Sequence, residues 1–233
     1  MIAALLFAAA APSLAFEADG RAKVAVDALR LAPPALARQL RRHEGSLLHG
    51  ARSQPPADLA AARALLERDA LETVSLVNGH KPFRKVAETL GRIAGAITSL
   101  NNPLWGETDE ARCRDGAEFA NYFQDRMNRF PLVFNGYSDP SLQSGNVGGF
   151  VDGIRARYGR DREILIAAYH PPHGRPVLPA DFDDRSVPFA VASLAYSSAV
   201  TDTAHLWIHI WRLANGDLSG TPYLAASAQR TRP

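Results

Sequence analysis

The clearest pattern of hydrophobic and polar positions lies between Lys81 and Trp105. Apolar residues recur there at alternating spacings of three and four, which places them on one stripe of an α-helix. A neighbouring line of the same helix carries almost no side chain, and an Asn-Asn-Pro sequence ends the helix because proline cannot continue it. The apolar stripe consists of Phe83, Val86, Leu90, Ile93, Ile97 and Leu100, and the small line of Gly91, Gly95 and Ser99.

The two glycines of this helix call for an explanation. Each costs about 1 kcal/mol relative to alanine in a helix interior. Gly91 and Gly95 therefore indicate that something approaches the helix closely. One explanation is the backbone of another helix, and the other is a functional site.

Helical patterns cover most of the remaining chain, and no segment alternates as a strand does. Asp58 and Ser186 are suitable N-caps for two of these helices, and polar connectors are expected at 106–116 and 130–149. The sequence predicts a single all-α domain of about seven or eight packed helices over residues 16–233. The further predicted helices are 33–50, 57–77, 118–128, 150–157, 162–168 and 186–214.

Composition and charge do not indicate a disordered chain or a nucleic-acid-coating protein. The formal net charge is +2 in 233 residues, and the chain has no basic stripe, so it carries no nucleic-acid-binding signature. Hydrophobic content is 46%, which is ordinary for a folded protein. The single cysteine, Cys113, cannot form an intramolecular disulfide.

The segment Met1–Ala15 is uncharged and apolar, and it ends in a proline followed by a small-x-small sequence. It is too short to span a bilayer as a stable helix. We interpret it as a cleaved signal peptide. The mature protein would begin at Phe16 and be periplasmic or secreted, with no transmembrane segment left.

Two stretches carry a family resemblance. Residues 90–94, Leu-Gly-Arg-Ile-Ala, followed by Pro103-Leu104, and Phe16 with Gly20, Leu31 and Pro33, match motifs of one enzyme superfamily. The chain resembles the zinc-dependent phospholipase C and single-strand-specific nuclease superfamily. This resemblance implies an all-α fold and a zinc cluster that activates a water molecule against phosphoesters.

The residues at the superfamily's zinc-ligand positions are different in this chain. Arg21 stands in place of a histidine, and an arginine does not give up its proton to become a ligand. The resemblance therefore implies a degenerate member with no cofactor. The positions that match the superfamily's lost ligands are Phe16, Arg21, Gly95, Ser99, Trp105, Gly116 and Ala120.

Arg21 allows two interpretations. It can supply positive charge where zinc is bound in the superfamily, and so hold a phosphate or a carboxylate. Alternatively, it is a surface arginine near the start of a helix. The resemblance further predicts that Arg21, Gly95 and Trp105 converge in the fold.

A second candidate site lies near the C-terminus. Asp202, His205 and His209 share one face of the last predicted helix, and two histidines at positions i and i+4 with an acid one turn earlier can bind zinc. His80 or His170 would assist. The alternative is a polar helix face bordered by Arg212, and the pair His170 and His173 is likewise explained by a surface loop.

Three functional hypotheses follow. The first is an exported, non-catalytic binding or scaffold protein of the cell envelope, with an anionic or lipid-like small ligand. The second is a divergent phospholipase C-like phosphodiesterase that uses zinc at the relocated Asp202 site. The third is an unrelated helical protein whose motif matches are accidental.

Overall fold

The structure, a computed structural model, describes residues 16–137, 139–171, 177 and 181–222. The proposed signal peptide and His173 lie outside these residues. The described chain is all-helical and packs as a single domain, as the sequence predicts. Its helices are α1 (Ala18–Ala28), α2 (Pro34–Arg42), α3 (Glu44–Ala51), α4 (Leu59–Asn78), α5 (Phe83–Leu100), α6 (Glu110–Arg126), α7 (Pro140–Gln143), α8 (Val147–Ala156), α9 (Gly159–Tyr169) and α10 (Val187–Leu213).

The helix starts follow the capping residues. The side chain of Asp58 accepts a hydrogen bond from the Ala61 amide at 2.8 Å, and Ser186 accepts one from Phe189 at 3.4 Å, so both predicted caps are confirmed. Asp109 caps α6 in the same way. Helix α6 therefore begins at Glu110, within the predicted polar connector and well before the predicted start at residue 118.

Two other boundaries differ from the prediction. The predicted helix 33–50 is broken at His43, whose backbone leaves helical geometry at φ −119° and ψ 32°, and this break separates α2 from α3. The predicted loop 130–149 contains the short α7, capped by Asp139. These interruptions account for the larger number of helical segments, ten in the described ranges.

Helix α5 lies in direct backbone contact with α3. A Cβ atom added at Gly91 would lie 2.1 Å from the Leu47 carbonyl oxygen, and one added at Gly95 would lie 2.6 Å from that of Ala51. On the opposite helix, a Cβ added at Gly50 would lie 2.0 Å from the Glu88 carbonyl oxygen. The helix-backbone explanation of these glycines is therefore confirmed, since no side chain fits between the two helices.

Helix α10 runs through the centre of the protein. It packs against α1, α4, α5 and α9. Its Trp207 is fully buried and donates its indole N–H to the Leu90 carbonyl oxygen of α5 at 3.1 Å. The predicted polar face of this helix is not solvated, because Asp202, His205 and His209 are all buried.

Within the described part of the chain, no helix combines the length and the apolar character needed to cross a membrane.

Candidate functional site

Arg21 is the centre of the first candidate site. Arg21 is only 6% exposed, so the alternative interpretation as a surface arginine is wrong. Its Nε donates to the Ala51 carbonyl oxygen at 3.1 Å, and its Nη2 donates to the carbonyl oxygens of Arg52 and Ser53, each at 3.1 Å. Its Nη1 donates to the carbonyl oxygen of Phe16. The guanidinium thus donates hydrogen bonds to four main-chain carbonyl oxygens.

This arrangement has a clear electrostatic basis. The last carbonyl groups of a helix lack intrahelical donors and carry partial negative charge. Ala51 ends α3, so the Arg21 guanidinium supplies donors to the buried carbonyl of Ala51 and to the partly buried carbonyls of Arg52 and Ser53. Burial lowers the pKa of Arg21 from its ordinary value, against an opposing effect of Glu17. The guanidinium is thus directed into the protein, and no anion is needed to explain its position.

The other positions on the N-terminal side of this site are filled by aromatic packing. Phe16 is fully buried, with its ring stacked on Phe123 at 3.8 Å between centroids and tilted against Phe119 at 6.0 Å. Gly116 and Ala120 are buried on the same helix, α6, that supplies these two rings. Helix α6 therefore closes over Phe16.

The three positions on α5 and its turn divide into two groups. Gly95 meets Ala51, which also accepts from Arg21, so Gly95 and Arg21 share a neighbour. Ser99 donates its hydroxyl to the Gly95 carbonyl oxygen at 3.0 Å. Trp105 instead lies beside Arg155, whose guanidinium carbon is 5.4 Å from the indole centroid and which donates to the Trp105 carbonyl oxygen at 3.0 Å.

All seven matched positions are buried. The residues do not fit a zinc ion, because a phenyl ring, a guanidinium, two glycines, an alanine and an indole offer none of the imidazole, thiolate or carboxylate ligands that zinc requires. The remaining hydroxyl, on Ser99, is bonded within its own helix. The arrangement is a packed clasp in which Arg21 joins Phe16 to the end of α3.

The three residues of the second candidate site bind different partners in the fold. The Asp202 carboxylate is paired with Arg157 and accepts a hydrogen bond from the Asn101 side chain at 3.1 Å. Tyr158 donates its hydroxyl to the Asn101 side-chain oxygen. Burial raises the pKa of Asp202, while Arg157 and Asn101 oppose that shift. Asp202 therefore belongs to a buried network that joins α10 to the end of α5.

The two histidines of that site line a small pocket with Asp139 and Arg212 among its walls. The Nε2 of His205 contacts the Gly136 carbonyl oxygen, so this nitrogen carries a hydrogen. The Nδ1 of His205 is buried, and no described residue is its hydrogen-bond partner. Burial and the nearby Arg212 both lower the pKa of His209.

The assisting histidines have other surroundings. His80 is exposed, in a left-handed turn conformation with φ 48°. The Nε2 of His170 pairs with Asp115 of α6 at 2.8 Å. Over the residues described above, no three His, Cys, Asp or Glu side chains form a group that could hold a metal ion.

Comparison with known proteins adds no relative. No family model matches the chain, and neither a curated protein nor a solved structure matches it. The resemblance to the phospholipase C and nuclease superfamily thus stays a prediction based on the motifs.

Sequence reasoning missed the partners of both sites. Arg155, Arg157 and Tyr158 bind groups at the end of α5 and Asp202 in the middle of α10, yet in sequence they are ordinary residues at the end of an amphipathic segment. Asn101 was interpreted only as a helix stop. A buried carboxylate needs a partner. Asp202, in an otherwise apolar helix, therefore indicated that a cation would pair with it, but the sequence did not identify that cation as Arg157.

Proposed function

We propose that this protein is an exported, non-catalytic binding or scaffold protein of the cell envelope, in which a guanidinium has taken the structural place of a metal cluster. The observation that supports this proposal is the clasp around Arg21. A buried cation draws together the Phe16 carbonyl and the end of α3. Holding these segments together is a task that structural zinc performs in many small proteins.

The resemblance supplies the second support. In the superfamily, the first residue of the mature chain and the following histidine are zinc ligands, and here the matching residues are Phe16 and Arg21. These two residues contact each other in the structure through the Phe16 carbonyl oxygen. The motif and the geometry thus concern the same two residues, with a hydrogen bond in place of the metal bonds.

The test combines metal content with activity. The protein would be purified without chelators, analysed by elemental mass spectrometry, and assayed for hydrolysis of bis(p-nitrophenyl) phosphate with and without added zinc. We expect neither retained zinc nor hydrolysis. Near-stoichiometric zinc together with zinc-dependent hydrolysis would overturn the proposal.

Export has its own test. Mass analysis of the protein from a periplasmic or culture-supernatant fraction should give a chain that starts at Phe16. A chain that retains Met1–Ala15 in the cytoplasmic fraction would overturn this part of the proposal, and it would leave the metal result unaffected.

Among the described residues, no contact favours the relocated phosphodiesterase. That hypothesis needs Asp202 beside His205 and His209 as a ligand, and the Asp202 carboxylate is engaged by Arg157 and Asn101. Loss of zinc binding and hydrolysis in His205→Ala and His209→Ala would be the result that restores it.

A further inference from the structure

One end of the molecule carries positive charge that no described carboxylate neutralises. Six lysine and arginine side chains are exposed there, and none of them forms an ion pair with a described residue. They come from α2 and from the start of α5, which are far apart in sequence, so no basic stripe along the chain indicates them. These six residues, the basic end, are Arg38, Arg41, Arg42, Lys81, Arg84 and Lys85.

Ring contacts bring the two groups of cations to the same end of the helices. The ring of His43, at the end of α2, stacks on Phe83, the first residue of α5, with 5.9 Å between the centroids. Phe83 in turn meets the edge of Trp211, near the end of α10, at 6.4 Å. At the start of α2, a Cβ added at Gly220 would lie 3.5 Å from Pro34. Helix α2 is therefore held at both of its ends beside the start of α5 and the end of α10.

The three arginines of α2 lie on the face of that helix opposite its buried residues. The buried residues are Leu36, Ala37 and Leu40. Arg41 and Arg42 are in the last turn, where the helix dipole favours cations. The dipole therefore accounts for two of the six cations without a partner.

The cations of α5 have no such structural explanation. Arg84 and Lys85 lie in the first turn of this helix, which contains no acidic residue. The positive end of a helix dipole disfavours cations, so these two side chains lower the stability of the helix start. Their charge is then explained by a partner outside the described chain.

Few carboxylates lie beside these cations. Glu44, in the first turn of α3, is exposed, and Asp217 accepts a hydrogen bond from the Ser219 amide at 2.8 Å. Glu88, one turn further along α5, faces His49 at 3.9 Å. The six cations outnumber these three carboxylates, although the formal net charge of the whole chain is only +2. The basic end therefore attracts an anionic partner.

The aromatic rings at this end distinguish between two kinds of anionic partner. Single-stranded nucleic acids stack their bases on open aromatic faces. His43 already stacks on Phe83, and a Cβ added at Gly216 would lie 2.2 Å from the Trp211 indole, so the backbone covers that ring. Phe83 and Trp211 are nevertheless partly exposed. Partly exposed aromatic residues beside cations are typical of the membrane–water interface.

We propose that the basic end binds the surface of a membrane that contains anionic lipids. The lipid phosphates accept from the guanidinium and ammonium groups, and the partly exposed Phe83 and Trp211 lie among the headgroups. Each lysine or arginine near such a surface adds to the affinity, and the attraction falls off within a Debye length. The basic end adjoins the start of α3, whereas the clasp of Arg21 binds the end of that helix, so the two are separate features.

The inference goes beyond the proposed function and can fail independently of it. Zinc content and phosphodiester hydrolysis test the proposed function, and neither measurement involves lipid. Lipid binding is measured on purified protein, so its outcome does not depend on export either.

The test is cosedimentation of the purified protein with vesicles of phosphatidylcholine alone or of phosphatidylcholine mixed with phosphatidylglycerol, with single-stranded and duplex oligonucleotides titrated separately. We expect binding to the mixed vesicles only, and weaker binding as salt is added, because the attraction is electrostatic. Equal binding to both kinds of vesicle would overturn the inference, as would no binding to either. Tighter binding to an oligonucleotide than to the mixed vesicles would identify a different partner and also overturn it.

A triple variant locates the surface on α2. Arg38→Gln, Arg41→Gln and Arg42→Gln together should weaken binding to the mixed vesicles at least tenfold, since three cations are lost from the surface. All three side chains are exposed, so the fold is preserved, and urea unfolding of the variant checks this.

The matched control removes the same charge elsewhere. Arg114→Gln, Arg160→Gln and Arg185→Gln change three exposed arginines that likewise have no ion pair with a described residue. This control should bind the mixed vesicles as the wild type does. Equal weakening in the two triple variants would show that net charge alone governs binding, and it would overturn the assignment to the basic end.

A double variant at the start of α5 separates binding from stability. Arg84→Gln with Lys85→Gln should weaken vesicle binding severalfold, while the resistance to urea stays the same or increases, because cations are unfavourable at this helix terminus. Unchanged vesicle binding in this variant would contradict a surface that includes α5, even if the α2 variant binds more weakly.

Discussion

Helices α5 and α10 are both buried, but they meet their surroundings differently. Helix α5 touches α3 backbone to backbone, and the hydroxyls of Thr98 and Ser99 bond to carbonyls of their own helix at 2.7 and 3.0 Å. Helix α10 carries buried polar atoms, in Thr201, Thr203 and His205, that no described residue satisfies. Close contact leaves no room for a ligand, whereas a buried polar atom without a partner costs stability.

The largest expected effect is at Arg21 of α1, whose guanidinium binds the Ala51 carbonyl oxygen beside the contact between α3 and α5. Arg21→Met keeps much of the side-chain volume but leaves four carbonyl oxygens without their donor. We expect a loss of about 2–4 kcal/mol in the free energy of unfolding, because a buried acceptor that loses its donor costs about 1–3 kcal/mol and the partly buried carbonyls of Arg52 and Ser53 can be reached by water. Urea unfolding measures it, and a loss under about 1 kcal/mol would show that the clasp is dispensable.

The next effect is at the helix contact itself. Gly91→Ala places a Cβ 2.1 Å from the Leu47 carbonyl oxygen, so α3 must move away. We expect destabilisation by about 2–3 kcal/mol, in spite of the better helix propensity of alanine. The matched control is Gly153→Ala in α8, where a Cβ meets nothing within 4 Å and a gain of up to about 1 kcal/mol is expected. Equal effects at the two glycines would contradict the tight contact.

A smaller effect is expected where the two helices are joined. Tyr158→Phe removes the donor to Asn101 and should cost about 1–2 kcal/mol. Tyr169→Phe is the control, because the Tyr169 hydroxyl is buried with no partner among the described residues, and its removal should be nearly neutral. If Tyr169→Phe proves as destabilising as Tyr158→Phe, the network between α5 and α10 adds no stability of its own.

The smallest effect concerns pH. The folded protein depresses the pKa of His209, so this residue contributes stability that is present above its unfolded value of 6.5 and is lost as pH falls. We expect unfolding measured from pH 8 to pH 5 to show less acid destabilisation in His209→Gln than in the wild type. His49→Gln, at a side chain that is 78% exposed, serves as the control. An identical pH dependence in His209→Gln and wild type would remove His209 from the acid response.

Local sequence patterns predicted the helices and one of the two contrasting environments. The glycines of α5 indicated a close approach, and the approaching element is the backbone of α3. The caps at Asp58 and Ser186 could be predicted because each side chain accepts a hydrogen bond from the amide three residues later. The break at His43 has no proline near it, and Gly45 lies inside the first turn of α3 and not at the break itself, so the local pattern did not locate it.

The candidate sites depended on contacts that sequence does not encode locally. The acceptors of Arg21 are main-chain oxygens, which are the same at every position and leave no trace in residue identity. Asp202 and His205 share a helix face, yet a cation from the end of α8 holds the acid and a loop carbonyl holds the histidine. Periodicity places side chains on a face, but it does not say which neighbour each one binds.

The clasp of Arg21 also has a consequence for local opening. One side chain joins residue 16 to residues 51–53, so it closes a ring that contains α1, α2 and α3. Segments closed in this way tend to open together. The amide hydrogens of these three helices should therefore exchange with solvent as one cooperative unit, and a single substitution at Arg21 should release all of them at the same time.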